Sequence, residues 1–196
     1  MSPTFEYCTL KLLNMYIKEE KAFLDILSPN LNSHVEAIKV NTLYKISILY
    51  SVHRFKGFKK EKMKTLFSAY NKVELINNNP ADVVNSFSKD IANVFETERS
   101  FISMSSKLLW FKFKSPVIIY DTRAKKAIKY KSDNYAEYIK EWEKQYLKKQ
   151  AQIKTACNNV AKLDKSFFYS GFNRKILQEK WFHERVFDIY LWEIGG

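Results

Sequence analysis

Lys107 sits in the run Ser105-Ser106-Lys107-Leu108-Leu109-Trp110-Phe111, a basic residue beside a strongly hydrophobic segment. An amine held there is a candidate nucleophile. Fourteen residues later Asp121 closes the apolar stretch Val117-Ile118-Ile119-Tyr120 and opens what reads as the next helix. The helix carrying Lys107 runs on for roughly 10 Å of rise, and four extended residues after Pro116 cover about 13 Å. If the chain doubles back at Ser115-Pro116, Asp121 returns to the level of Lys107. An amine and a carboxylate would then share the mouth of one pocket, with Trp110 and Tyr120 as its aromatic lining. Such a pair can attack an electrophilic carbon and manage the accompanying proton. Each residue also has an ordinary structural role, a snorkelling lysine and an N-cap aspartate, and spacing alone favours that plainer account.

The elements that must position these groups read as helices. The chain has only four glycines, Gly57, Gly171, Gly195 and Gly196, and four prolines, too little punctuation for a multi-stranded sheet. Apolar periodicity predicts helices over 10–27, stopped by Ser28-Pro29-Asn30, and over 33–55, capped by Ser33 with Val35, Ile38, Leu43, Ile46 and Leu49 as its buried face. Further helices are expected over 60–75, over 80–97 with Asn79 as cap and Pro80 at the first position, and over 100–113. In this last one apolar side chains point in nearly every direction, the mark of a central, buried helix. A short extended piece at 117–120, a helix opened by Asp121-Thr122, a long polar helix over 134–163, a loop over 166–173 and a final helix over 174–194 complete the chain. In the final helix Trp181, Phe187, Tyr190, Leu191 and Trp192 are expected to dock on the core, with Gly195-Gly196 ending it. The expected fold is all-α, a single compact helical domain over 1–196.

Composition narrows the function. Among 196 residues, 33 are basic and 21 acidic, a net charge of +12, and a field of that sign draws polyanions from beyond contact distance. Nucleic acid is the expected partner, DNA first and RNA as the alternative, although an acidic protein would answer the same charge. Two clusters stand out. Arg54, Lys56, Lys59, Lys60, Lys62 and Lys64 surround Gly57 with Phe55 and Phe58 interleaved, and Arg123, Lys125, Lys126, Lys129 and Lys131 directly follow Asp121. The opening residues MSPTFEY lack a charged and then apolar leader, and no run approaches about eighteen apolar residues, so a cytoplasmic protein without a membrane span is expected.

Several chemistries fall away. There is no glycine-rich cradle for dinucleotides or triphosphates and no HExxH, while Cys8 and Cys157 are too few and too far apart to hold a zinc ion or an iron–sulfur cluster. Glu179 and His183 share a helix face at i, i+4, a spacing more often met at the edge of a core than in a metal site. No GxSxG elbow supports a serine hydrolase.

The segment SFISMSSKLLWFKFKSPVIIYDTRAKKAI, Ser100 to Ile128, resembles the catalytic segment of the helix-hairpin-helix DNA glycosylases of the 8-oxoguanine type. In that family a hairpin ends in a catalytic lysine, and a short apolar strand ends in a catalytic aspartate that opens a helix, commonly as Val-Asp-Thr-His. Lys107 matches the lysine and Tyr120-Asp121-Thr122-Arg123 the aspartate motif. Asn41 to Ile48 and Arg185 to Trp192 resemble parts of a group of bacterial proteins sharing this glycosylase-like core. One departure concerns the hairpin, which in the family is glycine-rich so that backbone amides approach DNA phosphates. Here Ser103-Met104-Ser105-Ser106 takes its place, so either the hydroxyls of Ser103, Ser105 and Ser106 together with the lysines replace those phosphate contacts, or the grip on DNA is altered or lost.

The resemblance implies a glycosylase-like core with its catalytic segment at about 100–130. It also implies an enzyme that flips a damaged or modified base from the stack and excises it. Lys107 would be the nucleophile of a glycosylase with lyase activity and Asp121 the stabiliser of charge on the sugar. Arg54, Lys56, Lys59, Lys60, Arg123, Lys125, Lys126 and Lys129 would hold the DNA. That chemistry calls for no metal or organic cofactor. Two rivals share the sequence features: a nucleic-acid-binding module of the same fold that does not cut, and a defence-system interaction protein whose charge meets an acidic partner.

Overall fold

A computed structural model describes residues 2–27, 36–75, 79–164 and 172–196. Every regular element among them is helical, and none is a strand. In chain order these are α1 (Phe5–Met15), a π-helical stretch (Tyr16–Glu20), α2 (Lys21–Leu27), α3 (Glu36–Leu49), a 3-10 turn (Lys60–Lys62), α4 (Met63–Lys72) and α5 (Pro80–Phe95). There follow α6 (Ile102–Phe113), α7 (Thr122–Ala127), α8 (Tyr135–Ala161), a second 3-10 stretch (Arg174–Gln178) and α9 (Lys180–Ile194). The expected cap at Ser33 and stop at Ser28-Pro29-Asn30 lie outside the described residues, as does most of the loop over 166–173.

The helix starts follow local chemistry. Thr4, Asn79, Asp121 and Asn134 are extended residues whose side chains accept hydrogen bonds from the first free amides of α1, α5, α7 and α8. Pro80, which has no amide to leave unpaired, takes the first position of α5. Glu96 adopts the left-handed conformation, φ 54°, to end α5.

Where the composition leads one to expect a single domain, the chain divides by its internal contacts into two compact units. A terminal unit combines Met1–Lys18 with Asp121–Gly196, and a middle unit spans Glu19–Tyr120. In the middle unit α6 is the centre, packed against α5, α2 and α3, while α4 bridges α3 and α5. Eight consecutive residues of α6, Met104 to Phe111, are buried, so the helix that reads as apolar on all sides is enclosed on all sides. Its end also serves α4: Lys112 Nζ donates to the carbonyls of Tyr70 at 2.8 Å and Asn71 at 3.0 Å, satisfying acceptors that the helix terminus leaves open. Burial lowers the pKa of that amine.

The face of α3 differs from the periodic reading. Leu43 and Ile46 are buried, but Ile38 and Leu49 are exposed, and Thr42 and Ser47 are buried in their place. Both hydroxyls bond back to their own helix, Thr42 to the Ile38 carbonyl at 2.8 Å and Ser47 to the Leu43 carbonyl at 2.9 Å. With their polarity satisfied internally, these short side chains pack where longer aliphatic ones were expected.

In the terminal unit α9 plays the part that α6 plays in the other. Phe182 to Ile189 are eight consecutive buried residues, and α9 packs on α1, α7 and α8. Trp142 and Tyr146 of α8 stack at 5.1 Å and meet Phe187 edge-on or tilted. Trp192, expected in the core, is instead partly exposed. Its ring carries the Arg123 guanidinium at 4.0 Å and the Lys11 ammonium at 4.9 Å.

Candidate catalytic and nucleic-acid-binding residues

Within the middle unit the predicted reversal of the chain is present. Lys114 takes a positive φ of 52° at the end of α6, and Val117 to Tyr120 are buried. The Tyr120 amide donates to Ser106 Oγ at 2.9 Å, and that hydroxyl donates in turn to the Ser103 carbonyl at 3.2 Å. The residue before Asp121 is thus fastened to the residue before Lys107. Lys107 is 6% exposed, and its Nζ donates to Ser103 Oγ at 3.1 Å. Ser103, Ser106, Lys107 and the Tyr120 backbone form one small polar network inside an apolar helix surface.

Asp121 opens the terminal unit. It is half-buried, and its Oδ1 accepts from the Arg123 amide at 2.9 Å, so it does cap α7 as a helix start requires. Trp110 is a core residue set edge-on to Phe111 at 5.0 Å, and Tyr120 is 8% exposed. Neither these two nor Lys107 and Asp121 line any of three surface cavities, of about 420, 530 and 720 Å³, found elsewhere on the two units.

The expectation that Ser105 and Ser106 meet DNA phosphates is corrected. Both are fully buried, Ser106 is committed to the internal network, and a hydroxyl without solvent access cannot reach a phosphate. Ser103 is the one of the three that is part-exposed.

The basic residues are displayed in two ways. On the middle unit, Arg54, Lys56, Lys59 and Lys60 are exposed, while Phe55 and Phe58 turn inward onto Phe95 and Phe101 with ring centroids 4.8 to 5.5 Å apart. Gly57, at φ 102°, supplies the left-handed turn between the two aromatics. The loop therefore presents cations outward from an aromatic anchor. On the terminal unit, Arg123, Lys126, Lys129 and Lys131 are exposed, whereas Lys125 is mostly covered and paired with Asp133 at 2.6 Å.

Sequence reasoning missed a polar group inside α9. His183, Glu184, Arg185 and Asp188 are all buried. Asp188 Oδ1 accepts from Trp142 Nε1 at 2.9 Å, and Oδ2 faces Arg185 at 3.4 Å. Burial pushes the Asp188 carboxyl up to about 7, against the opposing pull of Arg185 and Trp142. His183 Nε2 lies 2.9 Å from the Leu177 carbonyl, and burial lowers its pKa. Glu179 sits at the N-cap position of α9, and no group of ligands suited to a metal ion occurs among the described residues. Cys8 and Cys157 are buried free thiols, pushed up by burial to about 12 and about 11, which makes them poor nucleophiles at neutral pH. Among the described residues no helix is long and apolar enough to cross a membrane.

Comparison with known protein families, with curated proteins and with solved structures finds no match to this chain.

Proposed function

We propose that this protein is a DNA base-excision enzyme, a glycosylase with lyase activity, in which Lys107 is the nucleophile and Asp121 the supporting carboxylate. The observation that carries the proposal is the bond from the Tyr120 amide to Ser106 Oγ, which fastens the chain just before Asp121 to the chain just before Lys107. The exposed cations that follow Asp121 add to it. A nucleotide is flipped from the duplex, and the Lys107 amine attacks the anomeric carbon. The new C–N bond forms as the glycosidic bond breaks, and the base leaves with the electron pair and a proton. Ring opening gives a Schiff base that permits strand cleavage. Asp121 stabilises positive charge developing on the sugar and assists the proton transfer.

Borohydride trapping on abasic DNA tests this. Wild-type protein yields a covalent adduct, and Lys107→Gln yields none while keeping its helical circular dichroism; on DNA that still carries the target base, Asp121→Asn slows base removal by about 10²-fold or more. An adduct that persists in Lys107→Gln refutes the mechanism. A second reading, a nucleic-acid-binding module that does not cut, is favoured by the burial of Lys107 and its bond to Ser103. It expects salt-dependent binding with no adduct at all.

A further inference from the structure

The middle unit carries a groove of about 530 Å³ between α3 and the start of α4, lined by Ala37, Val40, Asn41, Tyr44, Met63 and, at its rim, Glu36, Lys60 and Lys64. Its walls are mostly apolar or aromatic, and its rim carries two lysines against one glutamate. The surrounding sequence is more lopsided than the chain as a whole: residues 39–64 hold Lys39, Lys45, Arg54, Lys56, Lys59, Lys60, Lys62 and Lys64 against the single acid Glu61. Tyr44 is braced by Phe58, the two rings stacked at 22° with centroids 6.1 Å apart. Phe58 is itself stacked on Phe95 at 5.5 Å, so the tyrosine has a rigid backing. Lys60 rests its ammonium 5.0 Å from the Tyr44 ring centroid.

We propose that this groove binds single-stranded nucleic acid, with one unstacked base laid on Tyr44 and the adjoining phosphates held by Lys60 and Lys64. An aromatic face beside a cationic rim suits a strand whose bases are free to leave the stack, whereas a duplex offers the rim its phosphates but no base to the ring. The Lys60 stem is long enough to swing from the ring to a phosphate, exchanging a cation–π contact for an ion pair and clearing the ring for the base. Lys64 lies 3.8 Å from Glu36, and both are well exposed, so that pair is weak and yields to a phosphate. Asn41, exposed on the groove wall, offers an amide donor and acceptor to a base edge. Arg54, Lys56 and Lys59 extend the cationic rim along the loop. The site shares with the base-excision reading its nucleic-acid partner and the cations Arg54, Lys56, Lys59 and Lys60, but it uses neither Lys107 nor Asp121.

Fluorescence anisotropy of the full chain with a labelled oligodeoxythymidine of about ten nucleotides, measured over a range of salt, tests the site. Tyr44→Leu keeps an apolar side chain against Phe58 but removes the π-face. It is expected to weaken binding about tenfold with the salt slope unchanged, and Tyr44→Trp to restore it. Lys60→Gln with Lys64→Gln is expected to weaken binding and to flatten the slope of log K against log salt by about 1.4, roughly 0.7 for each phosphate no longer neutralised. Three results would overturn the proposal. One is Tyr44→Leu, folded by circular dichroism, binding within twofold of wild type. Another is a duplex of equal length losing as much affinity as the single strand. The third is a polyglutamate peptide displacing the oligonucleotide at equal charge concentration, which would point to an acidic protein instead. Oligothymidine carries no abasic site, so anisotropy reports on the groove and covalent trapping on Lys107, and either can fail alone.

Discussion

Replacing Asp188 with asparagine should change how the stability of the terminal unit depends on pH. The carboxyl is enclosed in the centre of α9, with Trp142 donating to one oxygen and Arg185 facing the other. Burial nevertheless dominates, raising it from an ordinary 3.8 to about 7 in the folded chain. The unfolded chain therefore loses this proton near pH 4 and the folded chain only near pH 7. Below pH 4 the contribution to stability is fully present, and it declines by about 1.4 kcal/mol per pH unit until it is lost above pH 7. Over that window the loss sums to about 4 kcal/mol. Asparagine carries no charge at any of these pH values and still accepts from Trp142, although its amide group meets Arg185 less well. The informative quantity is consequently the difference between two curves. Urea denaturation of wild type and Asp188→Asn at pH 4.5, 5.5, 6.5 and 7.5 should show the wild type losing stability relative to the variant at each step. Parallel curves would mean that Arg185 holds the carboxylate ionised throughout, and a wild type that gains on the variant would reverse the order of burial and ion pairing argued here.

Ser106→Ala should cost about 1 to 3 kcal/mol in urea denaturation, because the buried Tyr120 amide is left without its acceptor; a loss under about 0.5 kcal/mol would deny that bond its role. Gly195→Ala would set a Cβ 2.0 Å from the Arg123 carbonyl oxygen, a backbone atom that cannot rotate away. A loss of about 1 to 3 kcal/mol and faster amide exchange in α7 are expected, and unchanged exchange would contradict this. Lys126→Glu with Lys129→Glu, leaving Lys125 to its pair with Asp133, should weaken duplex DNA binding at least tenfold and flatten its salt dependence. Unaltered binding would remove this cluster from the DNA-contacting surface.

Much of the fold was legible in the residues. Scarce glycine and proline with sustained helical periodicity implied an all-helical chain, and Asn79-Pro80, Asp121 and Asn134 announced their helix starts because a side chain that accepts from its own next amides acts locally. The enclosure of α6 was equally plain, since apolar residues on every side leave no face for water. The same reasoning misses the polar group of α9, where Asp188 and His183 are buried and find partners in Trp142 and the Leu177 carbonyl, groups contributed by other elements. It fails too for Ser105 and Ser106, whose hydroxyls read as a phosphate grip but are enclosed, that of Ser106 tied to a peptide amide fourteen residues away. Sequence by itself determined what depends on a few consecutive residues: helix type, helix ends, net charge and the company Lys107 keeps. Which polar groups are buried, and which cations face outward around Tyr44, was decided by tertiary structure, because a hydrogen-bond partner or a packed ring contributed by a distant segment leaves no mark in the residues beside the one it serves.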